Sequence, residues 1–244
     1  MQVEIWSDVA CPWCAVGKRR FEAALRSFEH ADEVTLRWRS FELDPTAPRG
    51  AAGPGDTDYV GRLAAKYGTD RASAQGMIDH MTATAAEDGW RFRFDRIRPG
   101  NTFDAHRLLH LAADRDRQDA VKERFLAGYL EDGAAIGDPV TLRALATGAG
   151  LDDTEVADVL ASDAYADAVR ADERQAREFG ISGVPFFVID RRFGVSGAQP
   201  AAALLQALEQ AWTARSELAF VGAASASEHD HGASDACADG RCAL

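Results

Sequence analysis

The sequence predicts an α/β protein in which a split β-α-β … α-β-β-α unit is interrupted by an inserted all-helical domain. Near the N-terminus the period of the hydrophobic residues changes from that of a strand to that of a helix. It returns to that of a strand only after Gly180. The 244 residues are 46% hydrophobic and 27% charged, which is typical of a globular protein that buries a sizeable core.

The domain organisation follows from these changes of period. We expect residues 1–45 and 180–215 to form the split unit and residues 46–179 to form the insertion, whose last helix can pack on the split unit. Residues 216–244 are expected to be a mobile tail, because from about Ser225 the composition shifts to Ala, Ser, Asp, Gly and His and offers almost nothing to bury.

The chain opens with a strand, a helix and a second strand. Pro12 falls in the first turn of the helix, where the missing N–H of proline costs nothing, and Asp44-Pro45 closes the second strand. The apolar residues that mark the three elements are, in order, Val3, Ile5 and Trp6; Cys14, Gly17, Phe21, Ala24, Leu25 and Phe28; and Val34, Leu36, Trp38 and Phe41.

The insertion is predicted to be mostly helical. Asp138-Pro139 opens one of its helices, because an Asp N-cap is followed by proline at the first helical position. The last helix is expected over residues 162–179, with Gly180 as its C-terminal stop. Trp90, Phe92 and Phe94 alternate with arginines, which indicates a short extended segment.

A hairpin and a final helix complete the split unit. The apolar run Phe186–Ile189 predicts a buried strand, and Asp190-Arg191-Arg192 turns the chain back into a second strand at residues 193–197. Pro200 opens the last amphipathic helix.

The charge balance excludes some classes of partner. A net charge of -12 disfavours duplex nucleic acid and anionic membranes, because both require clustered positive charge. The N-terminus lacks the basic start and apolar run of a secretory signal, and no stretch approaches the roughly 18 apolar residues of a membrane span. We therefore expect a cytoplasmic protein that binds neither nucleic acid nor a membrane.

The four cysteines form two tight pairs at opposite ends of the chain, Cys11 with Cys14 and Cys237 with Cys242. In a reducing compartment, close pairs indicate redox or metal sites rather than structural disulfides. Cys-x-x-Cys is either half of a zinc site, which needs two further ligands, or a dithiol capable of reversible disulfide exchange. The domain has no second Cys-x-x-Cys, so redox chemistry is favoured, with no metal and no organic cofactor.

The helix register predicts different roles for the first two thiols. Cys11 lies at the helix N-terminus, where unpaired N–H groups and a partial positive charge stabilise a thiolate, so its pKa should fall below about 8.5. Cys14 lies one turn further on and faces the core. We expect Cys11 to be the exposed nucleophile and Cys14 to resolve the mixed disulfide, with Trp13 forming an apolar rim.

A second signal precedes the strand near residue 186. Gly183-Val184-Pro185 places a proline at the first position of a buried strand, one of the few places in a sheet that tolerates it. The residues alone favour a trans bond before Pro185, because only about 5–6% of X–Pro bonds in folded proteins are cis.

These motifs together resemble the DsbA family of thioredoxin-fold proteins, and within it the FrnE-like branch of cytosolic disulfide oxidoreductases. The resemblance covers about residues 1–215. The segments that carry it are Cys11-Pro12-Trp13-Cys14, Trp38-Arg39-Ser40-Phe41-Glu42-Leu43-Asp44-Pro45, Asn101-Thr102-Phe103-Asp104-Ala105-His106-Arg107-Leu108, Gly183-Val184-Pro185-Phe186-Phe187-Val188 and Gly194-Val195-Ser196-Gly197-Ala198-Gln199.

The resemblance implies a thioredoxin fold interrupted by the helical insertion, and a cis bond between Val184 and Pro185 that faces the cysteine pair. It also implies that the backbone before Pro185 pairs with an extended substrate segment, a form of strand addition. The expected substrate-binding residues are therefore Pro12, Trp13, Val184 and Pro185. The expected partners are protein thiols or disulfides, together with glutathione or another small molecule.

Two related groups of enzymes supply an alternative. Glutathione-dependent isomerases of the hydroxychromene-carboxylate type and kappa-class glutathione transferases typically carry Ser where this chain has Cys11, so the intact pair favours electron transfer. Asn101 either lines a small-molecule cleft, as a further substrate-binding residue, or is a plain N-cap. Glu42 and Asp44 either accept protons near Cys14 or are ordinary polar residues at the end of a strand.

Other polar groups have simpler explanations. His106 and His110 are spaced i and i+4, but without a third ligand nearby they are expected to be packing or surface residues. Lys18-Arg19-Arg20 is expected to be a solvated helix face.

Cys237 and Cys242 leave three alternatives open. Asp239-Gly240 is a turn dipeptide that brings the two sulfurs together. About 20 flexible residues span roughly 22–27 Å, and a chain of this size has a radius of gyration near 18 Å, so a tail can reach the first pair. The pair is then an auxiliary dithiol, an idle pair, or part of a soft-metal site with His229 and His231. Through such a tail the protein could also act as a redox sensor or a metal-binding module.

Overall fold

The computed structural model describes residues 1–50 and 58–216. Four strands in these ranges form one sheet, namely β1 (Gln2–Ser7), β2 (Thr35–Ser40), β3 (Phe186–Ile189) and β4 (Phe193–Ser196). Their order across the sheet is β2-β1-β3-β4. β1 runs parallel to β2, whereas β3 is antiparallel to both β1 and β4.

The helices follow the predicted order, with one between β1 and β2, a series before β3 and one after β4. They are α1 (Pro12–Ser27), α2 (Tyr59–Tyr67), α3 (Arg71–Glu87), α4 (Phe103–Ala113), α5 (Gln118–Ala127), α6 (Pro139–Gly148), α7 (Asp153–Leu160), α8 (Ala166–Glu178) and α9 (Ala201–Ser216). None of those in the described ranges is long and apolar enough to cross a membrane.

Three hydrophobic clusters place the sheet between helices. On one face of the sheet, α1 and α9 cover a cluster that includes Ile5, Phe21 and Leu208. On the other face, a small cluster around Trp6 lies under α8, which contributes Ala176. The third and largest cluster fills the helical insertion, and it also takes in Val9, Ala15 and Val16 from the start of the chain.

The segment around Trp90, Phe92 and Phe94, for which the alternation predicts an extended chain, joins no strand of the sheet. All three rings are buried in the largest cluster, and the chain passes over it as a loop without forming a ladder. The Arg93 N–H donates to the Leu130 carbonyl at 2.7 Å, and the Trp90 indole N–H donates to the Ala15 carbonyl at 2.9 Å. The apolar residues alternate here because every second side chain is buried in the cluster, and not because the segment pairs with a neighbouring strand.

The prediction of a solvated helix face at Lys18, Arg19 and Arg20 is wrong. Lys18 is only 2% exposed and pairs with carboxylates of α1 and α5, while Arg19 lies over the Trp90 ring at 4.5 Å. Arg20 pairs with Asp88 at 2.8 Å. These charges fasten α1 to the insertion, so they face protein where solvent had been expected.

Candidate active site

Two loops meet at one edge of the sheet. Cys11 follows the carboxyl end of β1, and Val184-Pro185 immediately precedes β3, its antiparallel neighbour. Trp6 pairs with Phe186 in the register of these strands, so both loops emerge at the same edge. Cys11 Sγ lies 3.7 Å from the Val184 carbonyl oxygen, and the Val184–Pro185 peptide bond is cis.

The two thiols differ in exposure. Cys11 caps α1 with an extended backbone and Pro12 occupies the first turn, as the sequence predicts. Both cysteines are free thiols; Cys11 is 4% exposed and Cys14 is fully buried. Trp13 is partly buried and packs against the cluster of the insertion. Cys11 is thus buried as well, contrary to the expectation of an exposed nucleophile, and it is only slightly more accessible than Cys14.

The surroundings of the two thiols act on their acidity in opposite directions. The neighbouring Cys14 thiol and burial raise the pKa of the Cys11 thiol well above its usual range, contrary to the expectation for Cys11. Burial by itself would raise the pKa of Cys14, but Cys11, the positive charge of Lys122 and Ser7 outweigh it and lower that pKa. No side-chain cap bond engages Cys11 at the helix start.

Asp8 supports the loop that carries Cys11. Its carboxylate accepts the Leu43 N–H at 2.7 Å and the Ala10 N–H at 3.3 Å, and its carbonyl accepts the Cys11 N–H at 3.3 Å. His106 Nε2 lies 3.4 Å from the same carboxylate. Burial would raise the pKa of Asp8, yet His106, the Leu43 N–H and Lys122 together lower it, so Asp8 stays ionised beside the cysteines.

His106 and His110 face different partners. His106 lies beside Asp8, whereas His110 Nε2 lies 3.1 Å from the Asp172 carboxylate and 3.2 Å from Ser40 Oγ. Both side chains are buried, in agreement with a packing role. In the part of the chain that the structure describes, no group of three or more His, Cys, Asp or Glu side chains is placed to hold a metal ion.

Asn101 ties the loop after β2 to the start of α4. Its amide donates to Glu42 at 3.3 Å and to the Pro45 carbonyl at 3.4 Å, and its side-chain oxygen accepts the Phe103 N–H at 3.0 Å. The last of these bonds is of the capping kind, although Thr102 is the residue that directly precedes the helix. A role for Asn101 in substrate binding stays a prediction.

Glu42 and Asp44 lie in different surroundings. The Glu42 side chain is buried and bonds to Arg170 at 2.5 Å, and its pKa is raised by burial and by the neighbouring Glu173. Asp44 is exposed and accepts the Thr46 N–H at 3.0 Å. Both therefore have partners of their own at the end of the strand.

Sequence reasoning missed two members of the site, Asp8 and Lys122. Asp8 had a usable signal, because it lies three residues before Cys11 in the tight connection between β1 and α1. Lys122 had none, because it begins the charged run Lys122-Glu123-Arg124, which is typical of a solvated helix face. Cys237 and Cys242, as well as His229 and His231, lie outside the described residues, so the roles expected of them stay predictions.

Comparison with known proteins gives one family and several similar folds. The family model of the DSBA-like thioredoxin domain matches residues 2–209. The probable DsbA oxidoreductase of Streptomyces coelicolor is 50% identical and superposes with a TM-score of 0.83, covering 91% of this chain and 94% of its own. YwbO of Bacillus subtilis (strain 168) is 27% identical over 192 residues, which is 78% of this chain and 86% of that protein.

A more distant structure shares the fold alone. The cytosolic disulfide reductase DsbM from Pseudomonas aeruginosa, in a structure with GSH, is 16% identical with a TM-score of 0.56, covering 89% of this chain and 99% of its own.

Proposed function

Because the chain belongs to the family of DSBA-like thioredoxin domains, we propose that it is a thiol–disulfide oxidoreductase that works through Cys11 and Cys14. The observation that carries this proposal is the asymmetry of the pair. Cys11 is 4% exposed and lies beside the Val184 carbonyl, whereas Cys14 is completely buried. One sulfur meets the substrate and the other is kept for the second step, so the pair needs no organic cofactor.

The first step requires the charge on Cys11. The Cys11 thiol therefore first gives its proton to water. The Cys11 thiolate then attacks one sulfur of a substrate disulfide. A bond forms between Cys11 and that sulfur, the substrate S–S bond breaks, and the departing thiolate takes a proton from water.

The second step releases the substrate. Cys14 gives its proton to water and attacks Cys11 Sγ. The bond between the two cysteines forms, the bond to the substrate breaks, and the departing thiolate takes a proton from water. Two electrons have passed from the protein dithiol to the substrate, which leaves as two thiols. Run in reverse, the same steps place a disulfide in a substrate.

The substrates that fit this site best are extended polypeptide segments. Val184 precedes β3 at the edge beside Cys11, so its backbone is available for strand addition next to the reactive sulfur. Pro12 and Trp13 would form the opposite rim. Glutathione is a second expected partner, because it takes part in the same thiol–disulfide exchange, and the structure of DsbM with GSH supports this proposal. We assign the chain to the FrnE-like branch on its sequence motifs.

The test removes each sulfur in turn. The chain has four cysteines, so Cys237 and Cys242 are first replaced by Ser to leave a protein whose only thiols are Cys11 and Cys14. In this background, Cys11→Ser is expected to reduce disulfide exchange to the uncatalysed rate, because the more accessible of the two thiols is gone. Cys14→Ser is expected to accumulate a mixed disulfide on Cys11, which is measured by mass spectrometry after incubation with a disulfide-bonded peptide.

Two results would contradict the proposal. Exchange activity that survives Cys11→Ser would show that another group does the chemistry. Saturable glutathione binding that persists in Cys14→Ser, with no mixed disulfide formed by any peptide, would favour the glutathione-dependent isomerase or transferase instead. The same trap with the tail cysteines retained tests their auxiliary role, which predicts an intramolecular disulfide between Cys11 and Cys237 or Cys242.

A further inference from the structure

A cavity of about 440 Å³ lies at the edge of the sheet that carries Cys11. One wall is the segment after β2, with Phe41 and Pro45, and the other is formed by α8 and by Ile181, which precedes β3. The volume falls in the range of roughly 300–1,000 Å³ that is usual for ligand pockets. The proposed exchange reaction has so far given this cavity no role.

The sheet places the cavity beside the cysteine loop. β1 and β2 run parallel and Ser7 pairs with Ser40, so the segments that follow the two strands leave the sheet side by side. The Leu43 N–H, in the segment after β2, donates to the Asp8 carboxylate at 2.7 Å. Asp8 lies three residues before Cys11, so one wall of the cavity is bonded to the loop that carries the reactive sulfur.

Val184 connects the dithiol with the walls of the cavity. Its carbonyl oxygen lies 3.7 Å from Cys11 Sγ. Its side chain packs against the small cluster around Trp6, of which Ile181 is a member and against which Phe41 also packs. A polypeptide that adds to the backbone at Val184 can therefore continue from Cys11 to the cavity.

The charges of the cavity wall balance one another. The Glu42 side chain is 1% exposed, and it accepts hydrogen bonds from Asn101 at 3.3 Å and from Arg170 at 2.5 Å. Arg170 also donates to Glu173 at 2.7 Å. Arg177 follows Glu173 by one turn of α8, so the wall carries two carboxylates and two guanidinium groups. A wall without net charge favours an uncharged occupant.

Arg170 offers a flat surface to such an occupant. Its guanidinium lies 4.3 Å from the centroid of the Phe103 ring, and Phe103 is not part of the cavity wall. The Arg170 side chain is 41% exposed, so the face turned away from that ring is accessible. A guanidinium plane stacks on aromatic rings. The apolar part of the wall comes from Phe41, Pro45 and Ile181.

We propose that this cavity is a subsite for an aromatic side chain of the polypeptide substrate, within a few residues of the substrate cysteine. This inference rests on the proposed function and names the class of substrate that the site favours. The substrate backbone pairs with the segment at Val184, and the ring packs on the apolar wall and stacks on Arg170. Arg170 determines this specificity, because its bonds to Glu42 and Glu173 hold the guanidinium in one orientation.

The experiment measures kcat/KM for the symmetrical disulfides of short alanine-rich peptides, in the background without tail cysteines. Each peptide has one cysteine and carries Phe, Ala, Lys or Glu at one of the four positions within two residues of it. At one or more of these positions we expect Phe to raise kcat/KM about tenfold over Ala, because part of the ring leaves water. Lys and Glu are expected to give no such increase.

Two variants test the wall itself. Arg170→Lys keeps a positive charge beside Glu42 and removes the flat group, so it is expected to lower the ratio of the Phe to the Ala peptide about threefold. Arg174→Lys is the matched control and should leave the ratio unchanged, because Arg174 is exposed on the same helix and lines a different cavity. If Arg170→Lys does not fold, Pro45→Asp decides, since a carboxylate on the apolar wall should also lower the ratio.

Three results would overturn the inference. They are equal kcat/KM for the Phe and Ala peptides at all four positions, a preference for Lys or Glu, and a ratio that neither Arg170→Lys nor Pro45→Asp changes. The disulfide of mercaptoethanol has no side chain for the cavity and separates the two proposals. A parent protein that exchanges it without preferring Phe peptides contradicts the subsite alone, whereas one that exchanges neither contradicts the proposed function.

Discussion

A single glycine sets how closely the first helix approaches the loop that carries Pro185. A Cβ atom on Gly17 would lie 2.8 Å from Pro185 Cγ and 3.5 Å from the Phe187 ring, and the first distance is too short for two carbon atoms. Only the absence of a side chain at this position lets α1 bring Cys11 against the backbone of Val184.

Gly17→Ala is therefore expected to destabilise the protein by about 1–3 kcal/mol and to slow disulfide exchange, because the Pro185 loop must move away from Cys11. Urea unfolding and the rate of exchange with glutathione measure the two effects. Gly76→Ala is the matched control, since Gly76 lies in α3 with open space around it and should gain about 0.5–1 kcal/mol. If both variants unfold at the same urea concentration and exchange with glutathione at the same rate, the close approach of Gly17 to Pro185 is unimportant.

The residues of the site divide into those that local sequence reveals and those that packing reveals. Cys11, Cys14 and Pro185 were predictable because each lies where one strand meets a helix or a loop, and such junctions carry a local signature. The opposite pKa shifts of the two thiols were not predictable, because they depend in part on Lys122, which is distant in the chain and comes near the pair only in the folded protein. Lys18 carried a usable signal that was overlooked, four residues after Cys14 on the buried face.

At the scale of elements, Asp172 joins α8 to the second strand. Its carboxylate accepts the Ser40 N–H and an Arg39 N–H, both at 2.9 Å, and lies 3.1 Å from His110 Nε2. The Asp172 carbonyl accepts the indole N–H of Trp6 at 2.9 Å. One buried residue of the last inserted helix thus contacts two strands and α4.

Asp172→Asn is expected to cost about 1–3 kcal/mol, because the amide nitrogen cannot accept the hydrogen bonds that one of the two carboxylate oxygens accepts from buried donors. Burial would raise the pKa of Asp172, but its bonds to His110, Ser40 and Arg39 lower it. A lowered carboxyl pKa stabilises the fold above the pKa of the unfolded chain, and this contribution is lost as the pH falls through the folded value.

Acid unfolding measured against pH should therefore be less steep in Asp172→Asn than in the parent protein. Asp167→Asn serves as the control, since Asp167 is exposed in the first turn of the same helix and should contribute at most about 1 kcal/mol. If the acid-unfolding curve of Asp172→Asn is the same as that of the parent protein, this carboxylate does not link α8 to the sheet.

The elements themselves were largely predictable, and the exceptions have one cause. Alternation at Trp90, Phe92 and Phe94 has the period of a strand, yet the backbone there pairs with Leu130 and Glu131 at isolated points. Periodicity reports which side chains are buried, and it cannot say whether a neighbouring strand exists. The start of α1 was correct because Pro12 restricts the helix locally, whatever the rest of the chain does.

At the scale of the whole molecule, we propose that the two predicted units fold together in one cooperative step. These units are residues 1–45 with 180–215 and the inserted residues 46–179. The largest hydrophobic cluster includes Val9, Ala15 and Val16 from the first of these units and the interior of the second. The paired charges of α1 and α5 cross the same boundary.

The expected outcome is one cooperative thermal transition, in which circular dichroism and tryptophan fluorescence give the same midpoint, because neither unit can close its core alone. Both probes are recorded on the full chain with the pair reduced. Two separated transitions would show that the insertion unfolds independently.

Cys11 and the Val184 carbonyl, which meet at 3.7 Å, are 173 positions apart in the chain. A ribosome releases the dithiol early and the loop opposite it only near the end of synthesis. Until then the emerging polypeptide carries the two thiols without the Val184-Pro185 loop that faces them in the folded protein. Under the proposed function, a chain truncated before its last strands would therefore keep both thiols but lack the loop at Val184 and Pro185 that is expected to bind the substrate beside them.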